Sequence, residues 1–238
     1  MNRTRDPTSN LLLAALPGDI LARWQDQLES VELHRGQVLY EAGCAPTDVY
    51  FPSTAIVSLL YGTAGDSTEI AAVGNEGVVG IAVFMGGETV PNRALVQSGG
   101  AGYRLKAETV KAEFELSGPV THLLLRYTQA LITQVAQTAV CNRHHSIDQQ
   151  LSRWLLTSLD RIGGNELAVT HESIGGLLGV RREGVTEAAL KLQRAGLIRY
   201  ARGHITVLDR PGVERRACEC YAVVRSEYKR LLPKRVAT

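Results

Sequence analysis

Apolar positions change their spacing three times along the chain. Over residues 8–30, Leu12, Leu16, Ile20, Trp24 and Leu28 recur every four residues, which predicts helix broken into two pieces by Pro17-Gly18. From about 31 to 105 the pattern shortens to runs and alternations: Val38-Leu39-Tyr40, Val49-Tyr50-Phe51, Ile56 to Tyr61, Glu69 to Val73, Ala94 to Gln97 and Tyr103 to Leu105. Twelve of the 23 glycines lie between Gly36 and Gly102, so tight turns separate these runs. Short strands at such spacing predict a small antiparallel roll or barrel. Residues 106–116 read as a short helix that Ser117-Gly118-Pro119 ends. Helical spacing then returns from Val120 to about Cys141 without an internal Gly or Pro. There Val120, Leu124, Tyr127, Leu131, Val135 and Thr138 step by 4, 3, 4, 4 and 3, the narrow seam of a coiled coil. Leu123 and Ile132 lie off that seam, on the side assigned to the roll. Helix length and the two-sided apolar pattern assign Leu124, Tyr127, Leu131, Val135 and Thr138 to a dimer interface.

Asn142 to His145 reads as a hinge, and Ser146 with Gln149 three residues on is a capping-box signature for the next helix. That helix runs through Leu151, Trp154, Leu155 and Leu159 to Gly163-Gly164. Residues 170–208 then read as helix, tight turn, helix and β-hairpin, the winged form of the helix-turn-helix. Ile174, Leu178, Val180, Val185 and Ala188 fall where the two helices bury side chains against each other. Gly175 is small where they approach, Gly179 sits in the turn, Thr170 is an N-cap and Gly196 follows the second helix as a C′ residue. Val169 is placed to join a small sheet with the wing strands Leu197 to Tyr200 and Ile205 to Leu208. A last helix spans about 212–232, carrying Cys218, Cys220, Tyr221 and Tyr228, and Lys234 and Arg235 form a basic end.

Charge separates the same two regions. Residues 1–138 hold 9 Lys/Arg and 14 Asp/Glu, a net of −5, whereas residues 139–238 hold 17 and 10, a net of +7. A basic half built around a helix-turn-helix is the footprint of a phosphate-backbone partner, double-stranded DNA. No run of 18 or more apolar residues exists, so no membrane span is expected, and the N-terminus reads as a short amphipathic helix rather than a signal peptide. Four scattered cysteines point to a reducing cytoplasm rather than a disulfide framework.

An acidic roll, a long helix, a hinge and a basic winged helix, in that order, resemble the Crp/Fnr superfamily of bacterial transcription regulators. The N-terminal resemblance rests on Leu33, Arg35-Gly36, Leu39, Gly43 and Val49-Tyr50-Phe51, then Val73-Gly74, Gly77 and Gly80. The more specific C-terminal set is Thr170, Ile174-Gly175, Gly179-Val180, Arg182-Glu183, Val185 and Gly196-Leu197-Ile198. The resemblance implies an α+β chain with a sensor β-roll of the double-stranded β-helix or jelly-roll type over 1–116. A dimerisation helix and hinge follow over 117–145, and a winged helix-turn-helix domain with an extra C-terminal helix over 146–238. It further implies a homodimer on a two-fold symmetric site, contact with RNA polymerase, and an effector in the roll.

The recognition helix is expected to open near Arg181, with Val185, Ala188, Ala189 and Leu192 inward and Arg181, Arg182, Glu183, Thr186 and Glu187 outward toward base edges. Arg182 and Glu183 match the family's base-reading Arg-Glu pair, but Glu187 stands where the family has a second arginine, so the site differs from the family consensus. An arginine fork on guanine and a carboxylate on the cytosine amino group are each worth about 1–3 kcal/mol of discrimination. Thr170, His171, Lys191, Arg202 and His204 are candidates for phosphate contacts, with idle surface residues the alternative for the two histidines.

In the roll, the family's cyclic-nucleotide cassette maps onto Gly80, Ile81, Arg93 and Ala94, with Val135 on the long helix facing the ligand. Ile81 replaces the glutamate that holds the ribose and cannot accept its hydroxyl, so cyclic AMP is not expected and the effector is unidentified. A vestigial roll without ligand is the alternative. A cupin-like enzyme is remote, because His34 is the only histidine between residues 31 and 105. Cys44 alone in the N-terminal part argues against an iron–sulfur cluster. Cys218-Glu219-Cys220 on a helix would point its thiols in different directions, and His144-His145 beside Cys141 reads as a solvated pair, so no metal site is expected.

Overall fold

Seven strands close around an apolar centre as two antiparallel sheets in the computed structural model, which describes residues 6–63 and 66–232. They are β1 (Glu29–Leu33), β2 (Val38–Tyr40), β3 (Asp48–Pro52), β4 (Ile56–Thr63), β5 (Asp66–Val73), β6 (Arg93–Ser98) and β7 (Gly100–Lys106). One sheet has the order β1-β7-β3 and the other β2-β6-β4-β5. Alternation decides what each strand buries: Ala94 and Val96 of β6 point into the core, and so do Ala101, Tyr103 and Leu105 of β7. Strand β1 buries only Leu33, which is why its polar sequence carries little strand signal. Before the roll, α1 (Leu11–Ala14) and α2 (Gly18–Gln25) are separated at Pro17, as the pattern predicts. Asn10 caps α1 by accepting from the Leu12 and Leu13 amides. Its amide group donates to the carbonyls of Pro52 at 2.8 Å and Gly77 at 2.9 Å, which ties the helix to the roll.

After α3 (Ala107–Glu115), the 26-residue helix α4 (Pro119–His144) lies along the roll. Its inward face corrects the seam read from the sequence. Leu124, Tyr127, Leu131 and Thr138 are buried within the one chain, and Val135 packs against the roll core. Tyr127 donates its hydroxyl to the Val78 carbonyl at 3.0 Å, and a Cβ on Gly77 would sit 2.4 Å from its ring, so glycine is needed there. The stripe left open is the opposite one: Leu125 is 51%, Ile132 59% and Val140 45% exposed, with Gln129 and Ala136 exposed between them. Leu123 faces the roll as expected; Ile132 does not. Both stripes have helical spacing, and the one that carries the Tyr127 ring goes inside.

The helix continues through the expected hinge to His144, and the chain turns at His145 (φ −106°, ψ 148°). Ser146 and Gln149 form the capping box of α5 (Ile147–Ile162). Then follow β8 (Glu166–Ala168), α6 (His171–Leu178), α7 (Arg182–Arg194), β9 (Ile198–Ala201), β10 (His204–Val207), α8 (Arg210–Arg216) and α9 (Cys220–Leu231). Leu151, Leu155 and Leu159 of α5 form a second core with Ile174, Val185, Ala188, Leu192, Ile198 and Ile205. The single last helix read from the sequence is two helices. The chain is non-helical at Ala217 (ψ 152°), so α8 stays on α5 while α9 turns back onto α4. Lys234 and Arg235 lie outside the described residues.

A buried polar cluster joins the two cores. Arg161 of α5 donates to Glu76 Oε1 at 2.8 Å, to the Ala72 carbonyl at 2.8 Å and to Gln134 Oε1 at 3.2 Å. Gln134 donates to the same carbonyl at 3.1 Å, and the Tyr228 hydroxyl of α9 donates to Gln134 Oε1 at 3.0 Å. Burial opposes the Arg161 charge, but the facing Glu76 carboxylate turns the net shift upward, so the guanidinium stays ionised. Roll, α4, α5 and α9 thus meet on one side chain.

Candidate nucleic-acid interface

The winged module is built from caps and turns that its sequence dictates. The Thr170 hydroxyl accepts from the Ser173 amide at 3.1 Å and opens α6. Gly179 ends it in the left-handed region (φ +67°), where a Cβ would in addition stand 2.9 Å from the Thr68 hydroxyl, so the turn requires glycine. The Val180 amide then donates to the Gly175 carbonyl at 2.9 Å and delivers the chain into α7. Val185, Ala188, Ala189 and Leu192 of α7 are buried, and Arg181, Arg182, Glu183 and Glu187 are exposed on its outer face.

Each candidate contact residue has a definite place. Arg182 lies 4.0 Å from Glu172 across the mouth of a groove between α6, α7 and β9, and the cavity volume of that groove is about 540 Å³. Thr186 is half-buried, and its hydroxyl donates to the Arg182 carbonyl at 3.0 Å. Thr186 Oγ1 also lies 3.0 Å from His171 Nδ1, and His171 Nε2 is buried. The ring stacks on Tyr200 with centroids 4.0 Å apart, and burial, with Arg182 nearby, holds its pKa below the ordinary histidine value. His171 is therefore a neutral prop that positions α7 against the wing, a role not read from the sequence. Lys191 is drawn toward Glu187 at 3.0 Å and Asp148 at 3.7 Å. In the wing, Arg202 (φ +51°) and Gly203 (φ +80°) make the hairpin turn, and His204 pairs with Glu166 at 2.8 Å. Gln193 also serves the module by accepting from the Tyr200 amide at 2.9 Å.

Of the five residues assigned to an effector pocket, Ala94 lies in the roll core and Ile81 and Val135 pack against it, whereas Arg93 stands apart. Arg93 and Ala94 lie on opposite faces of β6: Ala94 is buried in the core, while Arg93 turns outward and pairs with Glu41 at 3.3 Å. Gly80 is left-handed (φ +106°) at the start of a short 3-10 turn, Ile81–Val83, and Val135 sits on α4. Strand alternation explains the separation, since the arginine cannot face inward while its neighbour does.

One cluster corrects the expectation of no metal-binding geometry. Cys141, His145, Cys218 and Cys220 present donor atoms that all lie within 4.8 Å of one another. Helical angles do not apply to the C-x-C pair, because Cys218 precedes the start of α9 at Cys220. The Cys218 thiol is pushed up by its hydrogen bond to Cys141 and by burial, while the same bond pulls Cys141 down.

Residues 149–216 match the family model of the Crp-like helix-turn-helix domain. Most of the chain also shares its fold with solved structures. A Crp/Fnr-family protein from Eubacterium rectale is 20% identical with a TM-score of 0.67, over 87% of this chain and 98% of that one. FixK2 from Bradyrhizobium japonicum is 17% identical with a TM-score of 0.67, over 80% and 98%. A CRP-family transcriptional regulator from Thermus thermophilus is 19% identical with a TM-score of 0.66, over 79% and 96%. No curated protein sequence matches the chain. The chain thus shares its fold with these proteins, and its residues 149–216 are similar to the Crp-like helix-turn-helix domain. Among the described residues no helix is long and apolar enough to cross a membrane.

Proposed function

We propose that the chain acts as a homodimer that reads a two-fold symmetric DNA site with the exposed face of α7. The observation that carries this reading is the combination of Arg181, Arg182, Glu183 and Glu187 on the outer face of α7 with the exposed stripe Leu125, Ile132 and Val140 on α4. The stripe steps through Leu125, Gln129, Ile132, Ala136 and Val140 by 4, 3, 4 and 4, close to the coiled-coil repeat, and offers α4 to a second copy. Arg182 reads guanine and Glu183 cytosine, with Arg181 beside them on the same face, while Arg202 reaches phosphates. Selection of bound sequences from a random duplex pool is expected to return an inverted repeat with half-site centres about one helical turn apart. Arg182→Ala is expected to relax one position per half-site at a cost of about 1–3 kcal/mol. An unsymmetrical motif, or an unchanged motif in the variant, argues against this arrangement.

Control by cyclic AMP is not part of this reading, because Ile81 offers no acceptor and Arg93 faces solvent beside Glu41. Millimolar cyclic AMP is expected to leave the melting midpoint unchanged. A saturable rise would show a ligand bound to the folded state.

A further inference from the structure

We infer that Cys141, His145, Cys218 and Cys220 form a tetrahedral site for a zinc ion, which clips the C-terminal helix to the turn between α4 and α5. The sulfurs of Cys141 and Cys218 are 3.5 Å apart, and Cys220 Sγ is 3.5 Å from His145 Nδ1. With Zn–S near 2.3 Å and Zn–N near 2.0–2.1 Å, neighbouring donors of a tetrahedron stand about 3.5–3.8 Å apart. These two of the six spacings already fit, and the others, all within 4.8 Å, close by up to about 1 Å on an ion. A four-iron cluster puts each thiolate on a different iron atom and spreads the sulfurs beyond mutual contact, so this compact set suits a single ion. The three cysteines are buried and His145 is half-buried, which matches a closed structural site with four protein ligands and no open position.

The surroundings are those of a zinc ligand set. His145 turns Nδ1 to the cysteines and Nε2 to Glu219 Oε1 at 3.3 Å, the carboxylate–histidine arrangement that fixes tautomer and ring orientation. Gln137 donates to Cys220 Sγ at 3.2 Å. Three thiolates and one neutral imidazole around Zn²⁺ carry one net negative charge, after three thiol protons leave to solvent. Arg153, 9% exposed and with its Nε unpartnered, supplies positive charge toward Cys141. The ion would join the last turn of α4, the turn residue His145 and the loop before α9, groups 77 residues apart in sequence.

The test uses the reduced, untagged full-length chain. Elemental analysis after equilibration with Zn²⁺ and gel filtration is expected to give one zinc per chain. Titration with Co²⁺ is expected to give the near-ultraviolet thiolate charge-transfer band and the intense visible bands of tetrahedral cobalt. Cys141→Ser and Cys218→Ser should abolish both signals, Cys44→Ser should leave them intact, and Glu219→Gln should weaken zinc by about 10–100-fold. The wild-type cobalt spectrum reads the site even where a cysteine variant fails to fold. The inference is overturned if the reduced chain shows no cobalt bands and no retained zinc. Bands that survive loss of Cys141 and Cys218, or iron with acid-labile sulfide in place of zinc, also overturn it.

Discussion

Arg161→Ala is expected to lower the free energy of unfolding by about 3–5 kcal/mol, the cost of removing one partner from a buried ion pair. The loss has three parts in this chain. Glu76 Oε1 loses its 2.8 Å partner, the Ala72 carbonyl loses one of two donors, and Gln134 Oε1 keeps only Tyr228. Arg23 makes an equally short contact with Glu113 at 2.9 Å, but its side chain is 54% exposed. Arg23→Ala is expected to cost under about 1 kcal/mol, because water already screens that pair. Urea denaturation of both variants checks the contrast. Equal, small losses would show that Arg161 joins the two cores without holding them.

The double variant Leu125→Glu/Ile132→Glu is expected to be monomeric and to bind its operator roughly 10²–10⁴-fold more weakly, since one half-site loses the gain from tethering to the other. Both side chains lie outside the core, so the melting midpoint of the separated chain should stay close to that of a single folded chain. Sedimentation and fluorescence anisotropy read the two effects. A dimer that persists would move the interface off this stripe. Leu124→Glu or Leu131→Glu should behave differently, because each forces a carboxylate into the roll core and unfolds the chain before any question of pairing arises.

Local chemistry is legible from sequence wherever one residue type has one physical use. Short apolar or alternating runs mark six of the seven roll strands, the Ser146/Gln149 box lies where expected, and Thr170 and Gly179 bracket α6 as cap and left-handed turn. The misreadings share another origin: they need contacts between distant segments. Both stripes of α4 have helical spacing, and nothing local says that Tyr127 fills the space beside Gly77. Arg161 looks like a surface residue near the end of a helix until Glu76, 85 residues earlier, is folded against it. No Gly or Pro marks the break at Ala217, so the pattern places Cys218 and Cys220 on one helix and hides their convergence with Cys141 and His145. For the base-reading face, the motif supplies positions, but the place of His171 emerges only from its contact with Thr186 and its stacking on the Tyr200 ring.

Helix α5 is a beam about 24 Å long. One flank is pinned to the roll through Arg161, and the leucines of the other form the floor under α7. Because one rigid rod carries both attachments, the seat of Glu76 and the seat of α7 share a single element with no joint between them.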